Sequence, residues 1–168
     1  FCHGEDMRLN ELSDESLHFR VQQLLAEYVE VIDDDRLEQW PELFVDDARY
    51  EVVPRENSDR GLPLAAMFCD SKGMLIDRVV SLRQANIYAL HYYRHVLSNL
   101  RITQRSDAEV QAQCNFVVFQ TRVQGETAIY SAGKYQDRIV ATDGGLRFKE
   151  KRVIFDTYRI DSLMVRPL

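Results

Sequence analysis

The sequence predicts an α+β protein in which about three helices pack on the concave face of a curved antiparallel sheet. Three observations predict it. Leu17, Val21, Leu24, Leu25, Tyr28 and Ile32 recur at helical spacing early in the chain. Three long strand-like runs, 109–122, 127–140 and 146–158, fill the last third. Hairpin signals, Gln124-Gly125-Glu126 and Thr142-Asp143-Gly144-Gly145, separate those runs, so they pair antiparallel and, being long, must twist or curl.

Each element has a local reason. Residues 1–12 carry no clear pattern and are expected to form a disordered N-terminal arm, leaving 13–168 as a single domain. Ser13 followed by Asp14 and Glu15 marks a helix start, with acids facing the dipole. Asp33-Asp34-Asp35 closes that helix as a solvated end. Arg36 to Trp40 reads as one further helical turn, stopped by Pro41, with Leu43 and Phe44 continuing the apolar contacts. Arg49 to Val53 reads as a short strand ended by Pro54. Asn57, Asp59, Gly61 and Pro63 make 55–72 a loop. Asp70 or Ser71 can cap a helix whose shared face is Met74, Leu75, Arg78, Val79, Leu82 and Ala85. After residue 90 the period changes to two: Val96, Ser98, Leu100 and Ile102 alternate with His95, Leu97, Asn99 and Arg101. In the next run Val110, Ala112, Cys114, Phe116 and Val118 share one face.

With 168 residues, 45% hydrophobic and 29% charged, the chain can bury a core of its own. A net charge of −6 argues against nucleic acid or an anionic membrane as partner. No run of ~20 apolar residues offers a membrane span, and no basic-then-apolar leader opens the sequence. Cys2, Cys69 and Cys114 are far apart and odd in number, which suits unpaired thiols in the cytoplasm. Cys114 sits in an apolar run, as a small core residue does.

The stretch 49–103 is rich in chemistry-bearing residues but poor in motifs. His91 and His95 are four apart, a chelating spacing on a helix. The change of period falls between them, and along a strand that spacing is too wide. Asp70 and Asp77 lie upstream at no clear third-ligand position. Cys2-His3 lacks the second Cys–His pair that a Rieske site requires. No Gly-x-Ser-x-Gly elbow or phosphate loop is present. Acid–base work is the contender: Tyr28, Asp33, Tyr50, His91 and His95 could line a pocket within the curved sheet, with a His–Asp pair moving protons. A buried Tyr or His with a hydrogen-bonded partner is also a common structural element. Trp40 before Pro41 is a packing or interface anchor.

The run Asp33–Phe44 with Asp46-Asp47-Ala48-Arg49-Tyr50 resembles the start of the small (β) subunits of aromatic-ring-hydroxylating dioxygenases. Glu56-Asn57, Gly61-Leu62-Pro63, Gly73–Val79, Leu82–Tyr88 and Tyr93-Arg94-His95 are similar to the family's middle. Gly145–Arg152, Asp156 and Pro167-Leu168 are similar to its end. The resemblance covers roughly 17–168; Phe1–Arg8 lies outside it.

This resemblance implies an NTF2-like (SnoaL-like) cone and a non-catalytic structural subunit that carries no cofactor. Its partner would be a large α subunit in an α3β3 assembly with a trimeric β core. The Rieske [2Fe-2S] cluster and mononuclear Fe(II) would sit in that α subunit, with NADH electrons arriving through a reductase, sometimes with a ferredoxin. The Leu82–Tyr88 stretch is most similar to subunits of enzymes for aromatic carboxylates such as terephthalate, salicylate or halobenzoates. Trp40, Arg55, Glu56, Asn57 and Arg94 are then the interface candidates. A standalone branch of the same fold includes dehydratases, cyclases and isomerases with pocket His and Asp residues; for that reading His95, Asp33, Tyr28 and Tyr50 are the candidates.

Overall fold

The computed structural model describes residues 8–85, 91–156 and 166–168. Cys2-His3, most of the expected arm, Asn86–Tyr88 and the last two residues of the 146–158 run lie outside the described residues.

Helix α1 (Asp14–Asp33) starts where its cap predicts: Ser13 Oγ accepts the Ser16 N–H at 3.1 Å. All six residues of the predicted apolar stripe are buried, and Val29 and Val31 widen it. Residues 8–12, expected to belong to a loose arm, instead hold a packed 3-10 turn, Leu9–Glu11. Leu9 is fully buried, and its N–H donates to Asp107 O at 2.9 Å. The buried leucine, this backbone bond and the Arg105 guanidinium, which donates to Leu9 O at 2.8 Å and to Leu12 O, together anchor the turn.

After α1, Asp35 adopts a positive φ of 58° and turns the chain into a 3-10 helix, Leu37–Leu43. Pro41 lies inside this helix instead of stopping it. The φ that a proline ring fixes is also the φ of a 3-10 helix, so the ring fits there. Strand β1 (Phe44–Pro54) begins five residues earlier than predicted. A register break between Phe44 and Arg49 hides its first half from a period-two reading. The expected 55–72 loop contains helix α2 (Arg55–Asp59) and strand β2 (Met67–Cys69). Helix α3 (Lys72–Ala85) is capped by Ser71, whose Oγ accepts the Met74 N–H at 3.3 Å. Its buried stripe is Leu75, Val79 and Leu82, narrower than predicted; Met74 points outward.

Strands β3 (His91–Arg105), β4 (Glu109–Arg122), β5 (Thr127–Thr142) and β6 (Gly145–Phe155) form the predicted meander. Gly125 and Gly145 supply the positive φ values, 94° and 100°, that the hairpin turns require. The sheet order is β2-β1-β6-β5-β4-β3. It is mixed, not purely antiparallel as expected, because β1 runs parallel to β6. Alternation encodes which residues face inward but not the direction of the neighbouring strand.

The alternation in β3 is also corrected. Tyr93, His95 and Leu97 face inward, while Val96 is exposed. A register shift at Ser98/Arg101, with Asn99 at φ 56°, then brings Leu100 and Ile102 back onto the core. Further shifts at Val118/Phe119 and Arg138/Ile139 bend the sheet. Helices α1 and α3 and the 3-10 segment cover the inner face, around a cluster of Tyr28, Trp40, Phe44, Tyr50, Phe116, Tyr135 and Phe148. Among the described residues no helix is long and apolar enough to cross a membrane.

Candidate functional site

The last residue of α1 meets the start of β3. Asp33 Oδ1 lies 2.6 Å from His95 Nδ1, and Asp33 Oδ2 accepts the His95 backbone N–H at 2.8 Å. The Asp33 carboxylate thus engages the Nδ1 side of the ring, and Nε2 is the ring nitrogen it leaves unengaged. Nε2 is buried and has no hydrogen-bond partner among the described residues. A cavity of about 410 Å³ lies alongside, lined by His18, Gln22, Val29, His95, Leu97 and Cys114. The Asp33–Asp35 run is therefore not a wholly solvated helix end: Asp33 is an inward anchor for β3.

The other pocket candidates are used elsewhere. Tyr28 Oη donates to Leu168 O at 2.5 Å, and Tyr50 Oη accepts the Leu168 N–H at 3.0 Å. Burial pushes both phenols well above their ordinary range. No hydrogen bond joins either to Asp33 or His95 among the described residues. His91 and His95 stand on one strand, so the period changes before His91 instead of between the two. Four residues along a strand separate their Cα atoms by about 13 Å. Among the described residues no group of three His, Cys, Asp or Glu could hold a metal ion. Cys69 and Cys114 are free and buried, and burial pushes the Cys114 thiol up to about 11.

Sequence reasoning missed a second inward pair. Lys151 Nζ lies 3.1 Å from both Asp137 carboxylate oxygens, and both side chains are essentially inaccessible. Three rings box the ammonium, with centroids at 3.7 Å (Tyr135), 4.2 Å (Tyr28) and 4.6 Å (Phe148). Burial raises Asp137 to about 6, although Lys151 pulls in the opposite direction; burial likewise lowers Lys151. The signal was available: Asp137 sits between Tyr135 and Ile139 in strict alternation, on the inward parity.

The interface candidates divide. Trp40 is fully buried, edge-on to Tyr50 at 5.1 Å and Phe44 at 5.7 Å, so it anchors the core and offers no surface to a partner. Arg55 pairs with Asp156 at 3.4 Å and Asp59 at 3.8 Å, and Glu56 pairs with Arg60 at 3.0 Å. Asn57 Nδ2 donates to Leu64 O at 3.1 Å and so shapes its own turn. Arg94 differs from these. It is exposed on the outer face of the sheet, opposite Phe119, with no ion pair or hydrogen bond among the described residues.

A mixed curved sheet backed by helices on one face places the chain in the NTF2-like class of α+β folds. Residues 27–162 match the family described as ring hydroxylating beta subunit, and the chain belongs to that family. It is 48% identical over 159 residues to the small subunit of anthranilate 1,2-dioxygenase from Burkholderia cepacia, covering 95% of this chain and 99% of that one. It is 38% identical to beta 2 of the terminal oxygenase component of terephthalate 1,2-dioxygenase from a Comamonas species, covering 85% and 93%. A crystal structure from Novosphingobium aromaticivorans, assigned as the beta subunit of an aromatic-ring-hydroxylating dioxygenase, superposes with a TM-score of 0.84 at 48% identity. That match covers 92% of this chain and 98% of that chain.

Proposed function

We propose that this chain is the structural small subunit of a cytoplasmic, multicomponent oxygenase that hydroxylates an aromatic carboxylate. The observation that carries the reading is the end-to-end 48% identity with the anthranilate dioxygenase small subunit. The inward Asp137–Lys151 pair supports it, because both charges are buried against each other. On this reading the partner is a large α subunit in an α3β3 complex built on a trimeric β core. That subunit would hold the Rieske cluster and the mononuclear iron, with NADH electrons delivered through a reductase, sometimes with a ferredoxin. The donors described in this chain suit neither metal centre, since the two described thiols are buried singly and no three His, Cys, Asp or Glu residues come together among the described residues.

Co-expression with the large subunit tests the proposal. The expected result is a stable complex that turns over an aromatic carboxylate, while the chain alone turns over none. A second reading, a standalone dehydratase, cyclase or isomerase, draws on the His95–Asp33 contact beside its cavity. Turnover by the isolated chain that His95→Ala abolishes would establish that reading and overturn the first.

A further inference from the structure

Residues Arg166–Leu168 thread into the hollow of the curved sheet, where Arg166 is 7% exposed and Leu168 is inaccessible. The Leu168 backbone is held at both of its polar atoms. Its N–H donates to Tyr50 Oη at 3.0 Å, and its carbonyl accepts from Tyr28 Oη at 2.5 Å and Tyr50 Oη at 3.2 Å. Arg166 pairs with Asp35 at 3.3 Å and lies over the Tyr93 ring, 5.6 Å from its centroid. Tyr50 belongs to β1 and Tyr93 to β3, with β6, β5 and β4 between them. Four inter-strand steps of about 4.8 Å add up to ~19 Å across a flat sheet, whereas three residues of backbone reach at most ~10 Å. Curvature brings the two sides together over this segment, which crosses between them as a strap.

The grip on Leu168 is chemically specific. Burial pushes the Tyr28 and Tyr50 phenols up, so both stay protonated and donate to an acceptor oxygen. A leucine side chain needs neither hydroxyl to fill a core; the phenols engage the amide and the carbonyl. Two further donors of the same interior are left over. Tyr135, edge-on to Tyr28 at 5.9 Å, and Trp40, edge-on to Tyr50 at 5.1 Å, bury Oη and Nε1 without a hydrogen-bond partner among the described residues. Orphaned buried donors are destabilising, and interiors built for packing alone rarely keep them. We infer that the hollow between Tyr28 and Tyr50 is a binding site for a small molecule with a carbonyl oxygen on a branched apolar body, and that the Arg166–Leu168 strap occupies it in cis. Such a molecule takes the phenol bonds from the strap, and a second acceptor oxygen on it can use the donors that the strap leaves unpartnered.

The probe is N-acetylleucine amide, which carries the same N–H, carbonyl and isobutyl group as Leu168. In the full chain, hydrogen exchange of the Leu168 amide reports release of the strap. With the probe at ten times its dissociation constant, that exchange should quicken about tenfold, while the amides of β5 exchange as before. A chain ending at Arg166 keeps the Asp35 contact and vacates the place of Leu168. It should bind the probe at least about tenfold tighter than the full chain, because no strap competes. In that shortened chain Tyr28→Phe/Tyr50→Phe keeps both rings, removes both hydroxyls and should weaken the probe about tenfold. Affinity unchanged by the two phenylalanines would overturn the proposal, since a merely apolar hole does not read a carbonyl. Binding by a folded shortened chain no tighter than by the full chain would overturn it as well. If circular dichroism finds the shortened chain unfolded, the full chain decides: Leu168 exchange unmoved by the probe refutes the site.

Discussion

Replacing Lys151 with methionine keeps the aliphatic stem inside the box of Tyr28, Tyr135 and Phe148 and removes only the charge. Asp137 then loses the ammonium that sits 3.1 Å from both of its oxygens, in a place where water cannot replace it. Breaking one side of a buried ion pair costs about 3–5 kcal/mol. For a domain of this size that corresponds to a fall in unfolding midpoint of roughly 6–20 °C. The loss should depend on pH, with a definite sign. Burial already raises Asp137 to about 6 in the folded protein, against roughly 3.9 in an unfolded chain. Between those values the native state holds a proton that the unfolded state has released, so stability falls as pH rises and levels off above the folded value. Without Lys151 the folded value climbs beyond 6, and the variant keeps losing stability where the wild type has levelled off. Urea unfolding of both proteins at pH 5.5 and pH 8 should show a gap that widens with pH. The companion Lys151→Met/Asp137→Leu should recover most of the loss, because burial opposes the charge on both partners. A single variant within about 1 kcal/mol of wild type at pH 8, below the cost of a broken buried pair, would contradict this account, and so would a double variant no better than the single.

Three further predictions rest on separate features. Gly133→Ala should be among the most damaging alanine substitutions, since its Cβ would lie 1.9 Å from Ile154 O and 2.8 Å from Phe155 Cα. We expect a loss of about 3 kcal/mol or more, measurable as a shift in urea midpoint; a change below about 1 kcal/mol, the low end of overpacking costs, would mean the strands separate cheaply there. Arg83→Met removes the guanidinium that bridges Glu38 and Asp35 and holds the Glu38 carboxyl at about 2. A depressed carboxylate stabilises above its unfolded value and loses that contribution as pH falls towards 2; Glu38 is largely exposed, so the effect at neutral pH should stay below about 1 kcal/mol and vanish in 1 M salt. Cys69 and Cys114 should resist a thiol reagent in the native protein at pH 8, because both are buried with raised pKa values; their modification without unfolding would contradict this packing.

Much of this fold was legible in the residues, for a reason particular to each part. Helix α1 and the β4–β6 meander are determined by short-range rules: a serine cap, a 3.6-residue stripe, strict alternation, and glycines where positive φ is needed. The resemblance carried by Asp33–Tyr50 and Gly73–Tyr88 likewise needs nothing beyond the order of residues. Strand β1 was half hidden, because a register break interrupts the alternation on which the reading depends. The unbroken alternation expected across β3 fails because one residue, Asn99 at φ 56°, exchanges inside for outside midway along the strand.

The α+β class, the capped first helix, the hairpins and the family thus follow from the order of residues alone. Which charges meet depends on how the elements pack. Asp33 finds His95 across 62 positions, and Asp137 finds Lys151 across a hairpin register. Trp40 is taken into the core, while Arg94 is left exposed on the outer face of the sheet. Periodicity is a local property that each segment carries with it. Pairing and exposure belong to the packed whole, where burial costs a charge its hydration and only a neighbour brought in by the fold can replace it.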